Sequence, residues 1–255
     1  MAINNETVNS ISIMTFNLRF GLADDGDNSW ENRQTVFPDF FKTYTPDFIG
    51  FQEANNFQSF FLKNLLTDYS FIGMRDPSPE YWQNNLIFYK KSWTCLEHRH
   101  YFLSETPDVE SKLPESKWPR QCVIGLFEKE GQRLVHVNTH FDFKGSVQKR
   151  SAELVTGFLS EFDEDIPVVI TGDFNSPPGT PAYNVFMYDG FNDVFEGRHT
   201  STFHGFTGDG LGEHIDWILF RGVFIVKNAT IIRDAFAGQY PSDHFPVMAS
   251  LHLRR

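Results

Sequence analysis

Apolar residues at Ile11, Ile13, Phe16 and Leu18, set among polar neighbours, trace a strand that stops in Asn17, Arg19 and Gly21. After a polar stretch rich in Asp and Gly at 24–28, Ser29 reads as the N-cap of a helix that carries Phe37, Phe40, Phe41 and Tyr44 at helical spacing. Pro38 predicts a kink in it. Residues 48–51 form a short apolar strand running into Gln52 and Glu53, and Phe57, Phe60, Phe61 and Leu65 mark a second helix. The chain thus opens strand, helix, strand, helix.

From Tyr69 the pattern shortens to strands at 70–74, 86–89, 94–102, 122–128 and 134–139, separated by turn residues. Residues 104–120, with Pro107, Pro114 and Pro119, read as a long surface loop. A third helix fits 147–162, then a buried strand at 168–171, a short helix near 182–188, and strands at 215–220, 224–232 and 247–253. No linker or repeat divides the series. It is expected to form a single α/β domain over 1–255, two packed sheets with helices outside.

Composition narrows the class. With 255 residues, 40% hydrophobic and 22% charged, the chain excludes a disordered or collagen-like protein. The 28 Phe recur at inward-looking positions, so they predict core volume rather than base stacking. Acids outnumber bases 33 to 22, and the net charge of −11 opposes broad attraction to nucleic acid or an anionic membrane. Nowhere do about 18 apolar residues run together, so no membrane span is expected. Residues 1–10 have neither the basic start nor the apolar stretch of a signal peptide, which predicts a cytoplasmic protein. Cys95 and Cys122 suit neither a disulfide scaffold nor a metal cluster and read as free core thiols.

Polar groups that are costly to bury unpaired stand at strand ends: Asn17, Glu53, Asp173 with Asn175, and Asp243 with His244. His140 ends another strand, and Asp216 lies inside an apolar one between Ile215 and Trp217. Carboxylates and amides without thiolates suit a hard cation such as Mg²⁺, with Glu53 as the first candidate ligand. Each signal alone has a structural counterpart: an Asx turn at 172–177, capping at 242–246, a buried ion pair at Asp216.

Together the blocks Thr15-Phe16-Asn17, Gln52-Glu53, Asn138-Thr139-His140, Gly172-Asp173-Phe174-Asn175, Ile215-Asp216 and Ser242-Asp243-His244 resemble the endonuclease/exonuclease/phosphatase family, in family order and across nearly the whole chain. That superfamily includes pancreatic-type deoxyribonucleases, abasic-site endonucleases, neutral sphingomyelinases, inositol-polyphosphate 5-phosphatases and deadenylases. The resemblance implies a DNase I-like four-layer sandwich, two mixed β-sheets flanked by helices. Ser29-Trp30-Glu31-Asn32-Arg33, Leu103-Ser104-Glu105-Thr106-Pro107 and Thr202-Phe203-His204-Gly205-Phe206 look like its bacterial branch of hydrolases without a named substrate.

The resemblance also implies roles. Glu53, Asn17 and Asp243 would hold Mg²⁺ or Mn²⁺; Asp173, helped by Asn175, would orient or deprotonate the attacking water. His244 would contact a non-bridging oxygen with Asp216 fixing its tautomer, and His140 would be a second donor, with Asp142 in support. Arg120, His204 and Arg33, and also Arg19, are candidates for holding the phosphate. The implied activity is metal-dependent phosphoesterase chemistry, and the acidic surface favours a small or short substrate over long nucleic acid. An endo- or exonuclease acting on DNA or RNA is the alternative; a non-catalytic binding module is disfavoured by the presence of Glu53, Asp173 and His244. The nine histidines show no spacing of a structural zinc site. No protein partner is implied.

Overall fold

The predicted opening alternation is borne out in a computed structural model that describes residues 9–253. Strand β1 (Asn9–Asn17) leads through helices α1 (Trp30–Arg33) and α2 (Phe37–Thr43) to β2 (Phe48–Ala54) and α3 (Asn56–Leu65). The strand-rich middle follows as β3 (Tyr69–Ile72), β4 (Asn84–Lys90), β5 (Thr94–Phe102), β6 (Gln121–Lys129) and β7 (Gln132–His140). Then come α4 (Gly145–Leu159), β8 (Val168–Asp173), α5 (Pro181–Tyr188), β9 (Asn192–Asp193), β10 (Asp216–Arg221), β11 (Phe224–Ile231) and β12 (Val247–Leu253).

The expected kinked helix after Ser29 is instead two helices joined by a 3₁₀ turn, and Pro38 lies in the first turn of α2, where its missing N–H leaves no bond broken. Ser29 precedes α1 but its hydroxyl makes no capping bond. Asn55 is the effective cap further on, forming a reciprocal capping box with Gln58 at the start of α3. The 104–120 loop is irregular as expected, yet Leu113, Ser116 and Arg120 within it are buried. Of the two free cysteines only Cys122 is a core thiol; Cys95 is half-buried.

The strands form two mixed six-stranded sheets, ordered β11-β12-β1-β2-β4-β3 and β5-β6-β7-β8-β10-β9. The pairs β1/β2 and β7/β8 are parallel and all others antiparallel. Alternating side chains bury both faces of each central strand. On β1, Ile11 and Ile13 enter the core between the sheets, while Met14 and Phe16 pack under α2 and α3. On β10, Ile218 and Phe220 face the opposite sheet, while Trp217 and Leu219 meet α4 and α5. Three apolar cores therefore separate four layers, helix, sheet, sheet, helix. Among the described residues no helix is long and apolar enough to cross a membrane.

Beneath one end of the sandwich the inter-sheet core turns polar. The Gln52 amide nitrogen lies 2.6 Å from Asn138 Oδ1, Asn138 Nδ2 donates to the Phe51 and Leu86 carbonyls, and the Thr171 hydroxyl donates to Asn138 Oδ1. Gly50 opens the space: a Cβ there would lie 2.2 Å from Thr171 Oγ1 and 2.6 Å from Asn138 Oδ1. These buried bonds fix one sheet against the other directly below the strand ends that carry the candidate chemistry.

Candidate active site

Strand register gathers the predicted residues. In the second sheet Asp173 is paired with Asp216 on one side and with His140 on the other, so three neighbouring strands end in a row of ionisable groups. In the first sheet Asn17 is paired with Gln52, beside Glu53. Glu53 interrupts the β2/β4 register and takes φ of +61°, and Asn175 has φ of +48°. Both side chains are thus turned by backbone that non-glycine residues rarely adopt, a strain typical of functional positions.

One oxygen is the meeting point. Asp173 Oδ2 accepts from Asn17 Nδ2 at 2.8 Å, with His140 Nε2 at 3.4 Å and His244 Nε2 at 3.8 Å. Its other oxygen accepts the Asn175 backbone N–H at 2.9 Å. Burial drives the Asp173 carboxyl up to about 7, with Asp216 and Glu53 adding to the shift and His244 opposing it. Burial also opposes a charge on His244, but Asp216, whose Oδ2 lies 2.9 Å from His244 Nδ1, and Asp173 outweigh it and raise the imidazole well above its ordinary value. His140 goes the other way, held neutral by burial and by the positive charges of Arg120 and His244.

Glu53 accepts from Phe20 N–H on Oε2 at 2.6 Å and from Asn17 Nδ2 on Oε1 at 3.2 Å, with His140 Nε2 at 4.0 Å. Glu53, His140 and Asp173 each offer a ligand atom within 4.8 Å of the others, as do Asp173, Asp216 and His244. The second trio is closed by its own hydrogen bond. The first keeps lone pairs on two carboxylates, which suit a divalent cation, while the His140 Nε2 beside them faces the Asn175 amide nitrogen at 3.1 Å.

Not every expected ligand faces this trio. Asn17 Oδ1 accepts from Arg19 N–H at 2.8 Å, so its amide nitrogen rather than its oxygen meets the carboxylates. Asp243, expected beside Glu53, belongs to neither trio; its Oδ2 lies 3.6 Å from Arg19 Nε, and Arg19 is itself clamped by Asp25. Arg33 is a correction. It is fully buried and uses four of its five N–H groups on the carbonyls of Asn28, Leu18, Pro241 and Arg19, so it braces backbone rather than presenting a fork to a phosphate. His204 is stacked at 3.8 Å on Phe245 and takes the Gly208 N–H on Nδ1; burial lowers it to about 4, so it is a neutral packing group at neutral pH.

Arg120 does reach the site. It is buried, its Nε has no hydrogen-bond partner, and burial lowers its pKa from the ordinary arginine value against the opposing pull of Glu53, Asp142 and Asp173. Asp142 does not brace His140: its carboxylate gathers the backbone of 117, 118 and 143 instead. A separate buried group went unforeseen, in which Asp193 accepts from Tyr183 and pairs with His199 at 2.8 Å. The only sequence signal for it is a carboxylate in a two-residue strand too short to show a pattern.

Residues 14–244 match the Endonuclease/Exonuclease/phosphatase family. The structure is similar to that of a family protein from Bacteroides thetaiotaomicron, 28% identical, with a TM-score of 0.89 over 97% of this chain and 99% of that one. It is similar also to a Bacteroides thetaiotaomicron mannosyl-6-phosphatase, 28% identical, with a TM-score of 0.87 over 94% of this chain and 99% of the other. In sequence it is 24% identical over 177 residues to nocturnin of Drosophila melanogaster, a match spanning 62% of this chain but only 26% of nocturnin. The matched range takes in Asn17, Glu53, His140, Asp173, Asp216 and His244 alike, and the chain belongs to the Endonuclease/Exonuclease/phosphatase family.

Proposed function

We propose that the protein is a divalent-metal-dependent phosphoesterase that hydrolyses a phosphomonoester or phosphodiester of a small or short substrate by attack of water on phosphorus. The convergence of Asn17, His140 and His244 on Asp173 Oδ2 carries this reading, because it sets a raised-pKa carboxylate between a cation and a neutral imidazole. The likeness to a mannosyl-6-phosphatase and the net charge of −11 both support a small phosphate ester over long nucleic acid.

Asp173, fixed by Asn17 and by the Asn175 N–H, orients the attacking water and accepts its proton at Oδ2. His244 keeps its Nδ1 proton on Asp216 and points Nε2 inward, so the imidazolium donates Nε2–H to a non-bridging phosphoryl oxygen. Glu53, at the edge of the group it forms with His140 and Asp173, would hold Mg²⁺ or Mn²⁺. When bound, that ion supplies neutralisation of developing charge and polarisation of the phosphoryl oxygen. His140, neutral and with its Nε2 facing Asn175 Nδ2 at 3.1 Å, lines the site beside that group. Arg120 adds fixed positive charge from the buried side.

The test compares wild type with Asp173→Ala on p-nitrophenyl phosphate and bis-(p-nitrophenyl) phosphate, with Mg²⁺, Mn²⁺ or EDTA. Turnover that needs metal and is lost in the variant is expected. Equal background in both proteins, with plasmid DNA also intact, would overturn the reading.

A further inference from the structure

Phe143 (61% exposed) lies against the buried arginine of the site, and a second exposed aromatic, Trp118 (50% exposed), stands two residues before that arginine in the chain. One carboxylate fastens both. Asp142, almost wholly buried, accepts on Oδ2 from Ser116 Oγ at 2.9 Å, Lys117 N–H at 2.8 Å and Trp118 N–H at 3.3 Å, and on Oδ1 from Phe143 N–H at 2.8 Å. Arg120 Nε lies 3.9 Å from Asp142 Oδ2, and its guanidinium carbon is 5.7 Å from the centre of the Phe143 ring. Lys117 approaches the Trp118 ring at 5.3 Å.

Single apolar side chains on a surface need no explanation, but a pair pinned through one buried carboxylate around a buried cation with an unpartnered Nε is a different matter. Each ring has a cation beside it and surface left open to solvent. We propose that Phe143 and Trp118 form a platform for the sugar ring that adjoins the phosphate of a small phosphorylated sugar, with Arg120 holding the phosphate and Asp142 acting as the positioning residue for both. This rests on the phosphoesterase reading above. Phe143 stands directly against Arg120, so the ring it meets is the first one beyond the phosphate; a nucleobase would lie one ring further out. A sugar ring offers a face of C–H groups to an aromatic surface while its hydroxyls meet the charged rim at Lys117.

Phe143→Ala and Trp118→Ala are compared with wild type on mannose 6-phosphate, adenosine 5′-monophosphate and glycerol 3-phosphate. The KM for mannose 6-phosphate is expected to rise about tenfold in each variant, the loss of one aromatic stacking partner, with kcat nearly unchanged and glycerol 3-phosphate little affected. Phe143→Tyr and Trp118→Phe should restore the wild-type KM. Equal losses on glycerol 3-phosphate would mean a displaced Arg120 and overturn the platform, as would a loss confined to adenosine 5′-monophosphate, which would mark a base site. Saturation transfer from protein to ligand, recorded on Asp173→Ala with mannose 6-phosphate, keeps the two readings apart. Transfer to the sugar-ring protons that Phe143→Ala abolishes upholds the platform even without turnover, and transfer that survives Phe143→Ala overturns it even where p-nitrophenyl phosphate is hydrolysed.

Discussion

Asp216, at the start of β10 in one sheet, receives His244 Nδ1 at 2.9 Å from the loop that leads into β12 of the other, so one hydrogen bond spans the seam between the sheets. The pair does electrostatic as well as geometric work. Asp216 is the leading cause that keeps His244 protonated despite burial. Its raised pKa means that the pair's contribution to stability is full below the ordinary histidine value and lost as pH rises through the raised one.

Asp216→Asn should therefore lower the His244 pKa and pull the alkaline limb of the kcat profile to lower pH. The loss at neutral pH is expected to be about 100-fold or more, the scale of a removed proton donor. Imidazole titration by NMR and a pH–rate profile check the two halves separately; an unmoved His244 titration would show that Asp216 does not set its charge.

Asp173→Asn should separate catalysis from stability. Activity should fall by about 10²–10⁴-fold with loss of the proton acceptor. Stability without metal should rise. The folded carboxyl, at about 7, holds a proton between about pH 4 and 7 that the unfolded chain has released, so wild-type stability declines as pH rises across that window. In EDTA the variant should melt above wild type at pH 8, with the gap closing toward pH 4, as followed by thermal denaturation.

How legible all this was varies with the kind of interaction. Alternation on β1, β8 and β10 is a local, period-two signal, and it gave the strands and the layer each side chain enters. The row of ionisable groups was legible because strand ends put Asp173, Asp216 and His140 where polar residues break apolar runs. Arg33 was misjudged for a physical reason: its partners are four backbone carbonyls, and carbonyls leave no trace in sequence. The Asp142 knot was hidden in the same way, being made largely to backbone N–H groups, one of them 25 residues away on the far side of β6 and β7. Asp243 lay beside His244 in sequence, yet its side chain turns to Arg19, a choice made by loop geometry rather than residue type.

Arg33→Met tests the structural role. Removing the guanidinium would leave the buried carbonyls of Leu18 and Pro241 without their donor, at a cost on the order of 3 kcal/mol. Arg33→Lys, with a single ammonium, should recover only part of it. Urea unfolding gives the stabilities, and the active-site geometry should suffer too, because the carbonyls Arg33 holds flank Arg19 and the 241–243 segment. A fully stable, fully active Arg33→Met would return Arg33 to the surface charges.

His136 supplies a test of the polar layer between the sheets. It is fully buried, its Nε2 lies 2.9 Å from Thr171 Oγ1, and its ring meets Phe48 edge-on at 5.5 Å between centroids. Burial alone pushes it down to about 3. Between the ordinary histidine value near 6.5 and 3 the unfolded chain binds a proton that the folded one refuses, so stability falls with falling pH by about 1.4 kcal/mol per unit for this one group. His136→Leu deletes that proton. At pH 8 it should be less stable than wild type by about 1 kcal/mol through the lost bond to Thr171, but its stability should decline less steeply below pH 6, so that the two curves approach and cross. Chemical denaturation at pH 8, 6, 5 and 4 measures this directly. Parallel curves would mean that His136 takes up its proton in the folded state, and hence that the layer beneath the active site admits water.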